Sequence, residues 1–380
     1  MRLAMVKASQ RIVIKIGTSS LTHDNGNISS EKIQNIVQQT AGLRKGGHQV
    51  VLVTSGAIAA GFRSLGYPER PQTVNAKQAA AAVGQGLLIE EYNRYFSALG
   101  YIAAQLLLNR SDFTDKRRYQ NVYDTLNTLL ERGAIPIINE NDTVSIEELR
   151  FGDNDTLSAD VAALLHADLL ILLTDVDGLY TADPKRDNQA KHLNRVELID
   201  ESLERMAWDT SSKNAMGGMS SKLSAARLAT AAGVPVFICC SDDPDVLQGA
   251  LDSTARGTWF TAVPQYLKTR LQWLAFHSDI KGTLVVDMGA SEALKTRHTS
   301  LLASGIQEIQ GSFQKGDAVE VVDELFNYIG KGIVQYDCND LEKVLGCNSE
   351  EIQRIQPGAA GEVINRDNWL GSERNLGETK

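Results

Sequence analysis

Residues 11–19 read Arg-Ile-Val-Ile-Lys-Ile-Gly-Thr-Ser, a run of β-branched residues closed by glycine. Apolar side chains stand at Ile12, Val13, Ile14 and Ile16, so both faces of the segment are apolar. That predicts a strand buried on both sides rather than one with a wet face. Lys15 breaks the run. An ammonium in such a strand is costly to bury unless it meets an anion. Gly17 next to it lets the backbone come close to a ligand. The plain alternative is an edge strand whose Lys15 reaches solvent.

Working outward, the same texture recurs at 49–53 (QVVLV), 101–107, 134–138 (AIPII), 168–173 (DLLILL) and 234–238 (VPVFI). Helical patterns alternate with these runs. One follows Ser29-Ser30 from Glu31 to Arg44, and others cover 75–98, 116–132, 156–166, 222–232 and 243–251. Apolar strands alternating with helices predict an α/β fold whose central, mostly parallel sheet is covered on both faces. In such sheets ligands bind beyond the carboxyl ends of the strands. The texture changes after residue 256. Residues 257–280 read as a linker. From Gly282 short strands dominate (282–287, 301–306, 317–323, 328–336), which predicts a small β-rich barrel over 281–358, with 359–380 as a C-terminal extension.

The chain has 380 residues, 43% hydrophobic and 22% charged. That composition excludes a disordered chain, a collagen and a disulfide scaffold. Its four cysteines have no C-x-x-C spacing, which argues against zinc and secretion. The start lacks a signal peptide's apolar run, and no stretch of about 18 apolar residues offers a membrane span. The cytoplasm is the expected compartment. The net charge of −9 argues against bulk electrostatic binding of nucleic acid. Residues 281–358 hold 7 basic and 12 acidic groups, whereas 1–280 hold 28 and 31. The excess negative charge therefore sits mainly in the barrel, where RNA binding would need a basic stripe.

Six polar segments follow or open these elements. Lys15-Ile16-Gly17 is the first. Thr54-Ser55-Gly56-Ala57-Ile58-Ala59-Ala60-Gly61 ends a strand and opens a helix, which offers either backbone donors to an anion or tight helix packing. Asn139-Glu140-Asn141-Asp142-Thr143 and Gly152-Asp153-Asn154-Asp155-Thr156 are turn- and cap-forming residues that can also fix an ammonium and orient cations. Thr174-Asp175-Val176-Asp177, after the strand at 168–173, holds two carboxylates able either to bind Mg²⁺ or to form the turn. Gly217-Gly218-Met219-Ser220-Ser221-Lys222, before an alanine-rich helix, has the makings of a phosphate cradle. The full G-x-x-x-x-G-K-[ST], H-R-D, D-F-G and H-E-x-x-H motifs are all missing from the sequence.

Taken in order, VIKIGTS, VTSGAIAAG, NENDTV, GDNDTLSA, LLTDVDGLYTADP and GGMSSK resemble the amino acid kinase family, and within it the members that phosphorylate free glutamate. Residues 11–256 resemble the kinase domain, and 281–358 resemble a PUA domain. The resemblance implies an α/β/α sandwich with a mostly parallel sheet. It implies that Lys15 contacts the ATP phosphates and that Ser55, Asp142 and Asn154 bind glutamate. Thr174 and Asp175 would lie at the nucleotide. Met216, Gly217, Gly218, Met219, Ser220, Ser221 and Lys222 would wrap the phosphates, and Asp155 would orient the two lysines. Met216 departs from the pattern, because the family commonly has Thr there.

The reaction so implied is ATP plus L-glutamate giving ADP plus L-glutamyl 5-phosphate, the first step of proline biosynthesis, with Mg²⁺ accompanying ATP. The acceptor carboxylate, with a reference pKa of about 4.3, is already ionised at neutral pH and needs no general base. What remains is charge repulsion, assigned to Lys15 and Lys222. The resemblance also implies feedback inhibition by proline, for which the loop 62–75 is the candidate, a functional link to glutamyl phosphate reductase, and a homo-oligomer. The alternatives are another carboxylate kinase of the same fold, acting on N-acetylglutamate or aspartate, or an RNA-binding protein acting through its PUA domain.

Overall fold

The computed structural model describes residues 9–23, 25–144, 154–182, 187–200, 203, 218–262, 269–296 and 299–372. Met216 and Gly217, together with Gly152, Asp153 and the Asp183-Pro184 pair, lie outside the described residues. The chain forms two compact units. The first comprises Met1–Phe113 and Arg117–Tyr266, the second Thr114–Lys116 and Leu267–Lys380.

The first unit runs β1 (Arg11–Ile16), α1 (Ser30–Lys45), β2 (Gln49–Val53), α2 (Ala57–Gly61), α3 (Val74–Ala98), β3 (Ala103–Leu108), α4 (Ser111–Thr114), α5 (Lys116–Glu131), β4 (Ile135–Glu140) and α6 (Asn154–Leu164). It continues with β5 (Leu169–Thr174), β6 (Leu179–Tyr180), β7 (His192–Leu193), β8 (Arg195–Val196), α7 (Met219–Ala231), β9 (Val236–Cys240), α8 (Val246–Asp252) and β10 (Gly257–Phe260). Eight strands form one sheet in the order β3-β4-β2-β1-β5-β9-β10-β8. Every neighbouring pair is parallel except β9–β10. The expected α/β/α architecture is the observed one.

Strand alternation sorts the side chains onto two faces. Ile12, Ile14 and Ile16 of β1, Val50 and Leu52 of β2, Ile135 and Ile137 of β4 and Leu169, Ile171 and Leu173 of β5 join one core cluster. Ile33, Ile36 and Val37 of α1, Tyr92 and Phe96 of α3 and Leu247 of α8 complete it. Val13 and Lys15 alternate with those isoleucines and so take the other face, the side of α6 and α7. Those two helices pack against each other through buried alanines: Ala159, Ala162 and Ala163 on one, Ala225, Ala226 and Ala229 on the other. Lys15 is therefore central, 5% exposed, with β2 and β5 pairing β1 on either side. The edge-strand alternative is excluded.

Several boundaries differ from the sequence reading. The strand expected to end at 138 runs on to Glu140, so Asn139 and Glu140 are buried strand residues. They pair with Leu107 and Leu108 of β3, and that pairing outweighs the turn preference of asparagine. The helix expected at 222 starts at Met219, which puts Lys222 in its first turn. The described residues of 257–280, read as a linker, largely form regular structure. Gly257–Phe260 pairs antiparallel with β9, and Gly257 is required there because a Cβ would meet Ile238 O at 2.5 Å.

The second unit contains α9 (Thr269–Phe276), β11 (Ile280–Val286), α10 (Met288–Thr296), β12 (Ile306–Gly311), β13 (Ala318–Val322), β14 (Tyr328–Val334), α11 (Cys338–Glu342), α12 (Ser349–Ile355) and β15 (Ile364–Gly371). Its five strands form one mixed sheet, β12-β11-β13-β14-β15, over a core that includes Leu284, Val319, Val321, Ile329, Ile364 and Trp369. The sheet extends past the boundary read at 358, because β15 pairs with β14 and buries Trp369 and Leu370. The strand read at 301–306 is instead a single bridge from Leu301 to Ile364 and a 3₁₀ turn, Ala303–Gly305. The strand follows it, at Ile306–Gly311. Its Gln307, Glu308, Gln310 and Gly311 are exposed, which removes the apolar signal.

Candidate active site

Parallel strands point their carboxyl ends the same way, so Gly17, Thr54, Asn141 and Asp175 emerge along one edge of the sheet. The amino ends of α6 and α7 face the same edge, because Asp155 and Lys222 in their first turns converge there with Lys15. Oriented N–H groups at such ends favour an anion.

Asp155, in the first turn of α6, is fully buried. Its Oδ1 lies 2.5 Å from Lys15 Nζ and its Oδ2 3.3 Å from Lys222 Nζ. Ser221 donates its hydroxyl to the same Oδ2 at 2.8 Å, and Ser158 donates to the Asp155 carbonyl at 2.6 Å. Burial alone would push this carboxyl up. Lys15 and Lys222 outweigh it and hold the group below the ordinary carboxylate range, helped by hydrogen bonds from Lys15 and Ser221. Among the described residues, two nearly buried ammonium groups thus share one carboxylate. A further anion placed beside them would be attracted by both lysines in a setting of weak screening. A Cβ at residue 17 would be in ordinary contact with Lys15 Nζ, at 3.6 Å, so residue 17 borders that ammonium.

Asn154, adjacent, ties the ends of β2 and β4 together through three contacts. Its Nδ2 lies 2.7 Å from Thr54 O, 2.8 Å from Asn139 Oδ1 and 3.0 Å from Ser55 Oγ. Its Oδ1 and the Nδ2 of Asn139 are both buried and have no protein partner. An unmatched acceptor and an unmatched donor in one place suit a ligand that carries both an ammonium and a carboxylate. Asp142 stands half-buried just past the end of β4.

Thr174 ends β5, and its hydroxyl donates to Asp175 Oδ1 at 3.0 Å. Asp175 is exposed. Asp177 is committed elsewhere. It accepts the Tyr180 hydroxyl at 2.8 Å and pairs with Arg256 Nε at 2.7 Å, which favours the turn over metal ligation. Gly218 caps α7 with an extended backbone and no side-chain hydrogen bond. Met219 and Ser220 follow, half-buried. Among the described residues no group of three His, Cys, Asp or Glu side chains is placed to hold a metal ion, and no helix is long and apolar enough to cross a membrane. None of the four cysteines forms a disulfide.

The Thr54–Gly61 segment owes much of its composition to packing. Gly56 has φ +98°, and a Cβ on Gly61 would meet Ala80 O at 2.0 Å. Helix α2 has five residues, too few for a helix-end anion site. Sequence reasoning passed over the carbonyl of Thr54 and gave the Asn139 side chain no role of its own. A buried asparagine at a strand end needs partners, and that requirement was the available signal for Asn139.

A model of the amino acid kinase family matches residues 10–240, and a PUA domain model matches 282–356. The chain is 50% identical over 362 residues to a glutamate 5-kinase of Streptococcus pneumoniae (strain Hungary19A-6), covering 95% of this chain and 96% of that one. It is 49% identical over the same span to a glutamate 5-kinase of Neisseria meningitidis serogroup A, with the same coverage. Among solved structures, a carbamate kinase from Giardia lamblia covers 67% of this chain and 99% of its own at 18% identity, with TM-score 0.48. A UMP kinase from Ureaplasma parvum covers 67% and 99% at 19% identity, with TM-score 0.45.

Proposed function

The chain belongs to the amino acid kinase family, and from that premise we propose that it transfers the γ-phosphoryl group of ATP to the side-chain carboxylate of L-glutamate. The products are ADP and L-glutamyl 5-phosphate. The observation that carries this reading is the convergence of Lys15 and Lys222 on Asp155 beside the unmatched polar atoms of Asn139 and Asn154. The one supplies cations for a phosphoryl group, the other a seat for an amino acid.

The acceptor oxygen is already anionic, so no proton has to be removed. The barrier is the approach of a carboxylate to a polyanion, and the protein's part is positioning and charge compensation. Lys15 and Lys222 are assigned to the transferring group, and Asp155 holds their ammonium groups at a fixed spacing. Ser55, Asp142 and Asn154 are assigned to glutamate. Thr174, Asp175 and the segment 216–222 are assigned to the nucleotide. Magnesium enters as part of the MgATP substrate, where its charge offsets that of the phosphates. Asp155 is already paired with the lysines and is not counted as its ligand.

The wider reading is a cytoplasmic, homo-oligomeric enzyme that opens proline biosynthesis and is inhibited by proline. Its labile acyl phosphate would be passed to a reductase. The test is MgATP-dependent ADP release with L-glutamate, N-acetylglutamate, aspartate, carbamate and UMP supplied in parallel. Glutamate should be the preferred acceptor by a wide margin. Preference for any of the others would overturn the substrate assignment.

A further inference from the structure

Helix α3 lies behind the loops assigned to glutamate, and none of its residues is part of that assignment. Its inner face carries two polar side chains in an otherwise apolar row. Gln85 and Tyr92 are seven residues apart, two helical turns on one face, with Leu88 between them. They are 7% and 0% exposed.

Each reaches the backbone of a different loop. Gln85 donates Nε2 to the carbonyl of Glu140 at 3.2 Å, where β4 ends and the segment carrying Asp142 begins. The Tyr92 hydroxyl lies 3.0 Å from Thr54 Oγ1. Thr54 Oγ1 in turn donates to Ser55 O at 3.3 Å. Tyr92 and Thr54 thus share one buried hydrogen bond in which either hydroxyl can donate. The carbonyl of that same Thr54 receives Asn154 Nδ2 at 2.7 Å.

Helix α3 is held at a fixed depth. A Cβ on Gly84 would meet Ala57 O at 1.7 Å, so α2 and α3 touch backbone to backbone beside Gln85. A small cavity of about 10 Å³ has Thr54, Gln85, Tyr92 and Asn139 among its walls.

We propose that Gln85 and Tyr92 are positioning residues for the amino acid acceptor, setting the Thr54-Ser55 loop and the Glu140–Asp142 loop at the spacing that glutamate requires. The inference rests on the assignment of Ser55, Asp142 and Asn154 to glutamate. It goes further by placing part of the acceptor specificity on a helix that touches no substrate. Both contacts run to the segments assigned to glutamate, so the effect should fall on that substrate.

The test is steady-state kinetics of the full-length protein as Tyr92→Phe and Gln85→Leu, with Asn154→Ala as a control and thermal unfolding of each. Both substitutions keep the side-chain volume near the original. Each should raise the glutamate KM by roughly three- to tenfold, the scale of one lost buried hydrogen bond. The ATP KM should stay unchanged, and Gln85→Glu should not rescue, because an ionised carboxylate cannot donate. An unchanged glutamate KM in both variants, with Asn154→Ala raising it, would overturn the inference and leave the glutamate site standing. A parallel rise in both KM values, or a loss of fold without a KM split, would also overturn it by making the contacts merely structural. An unchanged glutamate KM in Asn154→Ala would refute the site assignment and this inference together.

Discussion

Lys15 Nζ lies 2.5 Å from Asp155 Oδ1, which joins the centre of the sheet to the first turn of α6. The other oxygen of that carboxylate holds Lys222, 3.3 Å away in the first turn of α7. One buried anion thus fixes the distance between two cations contributed by two separate elements.

If the second cation acts on the transferring phosphoryl group, Lys222→Ala should lower kcat by roughly 10²–10³. The glutamate KM should change little. Steady-state kinetics checks this, and a change confined to KM would assign Lys222 to ground-state binding instead.

Replacing Asp155 by Asn keeps the shape and removes the charge, leaving two buried ammonium groups without their shared partner. The expected cost is about 3–5 kcal/mol, measured by denaturant unfolding. The sign of the pH dependence follows from the pKa direction. The folded-state value of Asp155 lies below the unfolded one. Its contribution is therefore complete above the unfolded pKa of about 3.9 and is lost as pH falls through the lower folded value. Asp155→Asn should flatten that acid limb.

Asp160, further along α6, behaves in the opposite sense. It is 4% exposed, and burial pushes its carboxyl up to about 8, with Arg110 pulling the other way. Between the unfolded value near 3.9 and the folded one, the native state binds the extra proton. Stability should therefore fall as pH rises through that window. Asp160→Asn should remove the fall and raise the Tm above neutrality. A steeper alkaline loss in the variant would contradict the assignment.

Two glycines of α3 separate packing from propensity. Gly84→Ala pushes a Cβ to 1.7 Å from Ala57 O, whereas nothing lies within 4 Å of a Cβ on Gly86. The first should destabilise by about 1–3 kcal/mol or more through overpacking. The second should stabilise by about 0.5–1 kcal/mol through helix propensity. Calorimetry on the two variants should show shifts of opposite sign.

These residues also show what could be read before the structure. Lys15 stood out because a cation in a β-branched strand is anomalous without an anion, and Asp155 proved to be that anion. The sheet was legible because its central strands are apolar on both faces. Strand β12 was hidden because most of its residues are exposed and polar, β15 because Asn365, Arg366 and Asp367 interrupt its apolar residues, and β10 because a four-residue strand with glycine at its head gives little signal. The turn-forming Asn and Asp residues of the 139–143 cluster pointed to a loop. Long-range pairing with β3 makes Asn139 and Glu140 strand, and no local propensity contains that information. Tyr92 was silent for the same reason: its partner, Thr54, is remote in sequence and is brought near by the Gly61–Gly84 contact.

The central claim is that a carboxylate is the acceptor, and hydroxylamine trapping tests it most directly. An acyl phosphate reacts with hydroxylamine to give a hydroxamate, whereas a phosphate ester does not. With MgATP, L-glutamate and hydroxylamine, the protein should form glutamyl hydroxamate in step with ADP, and Lys222→Ala should suppress both together. Release of ADP in the presence of glutamate without hydroxamate would contradict the account.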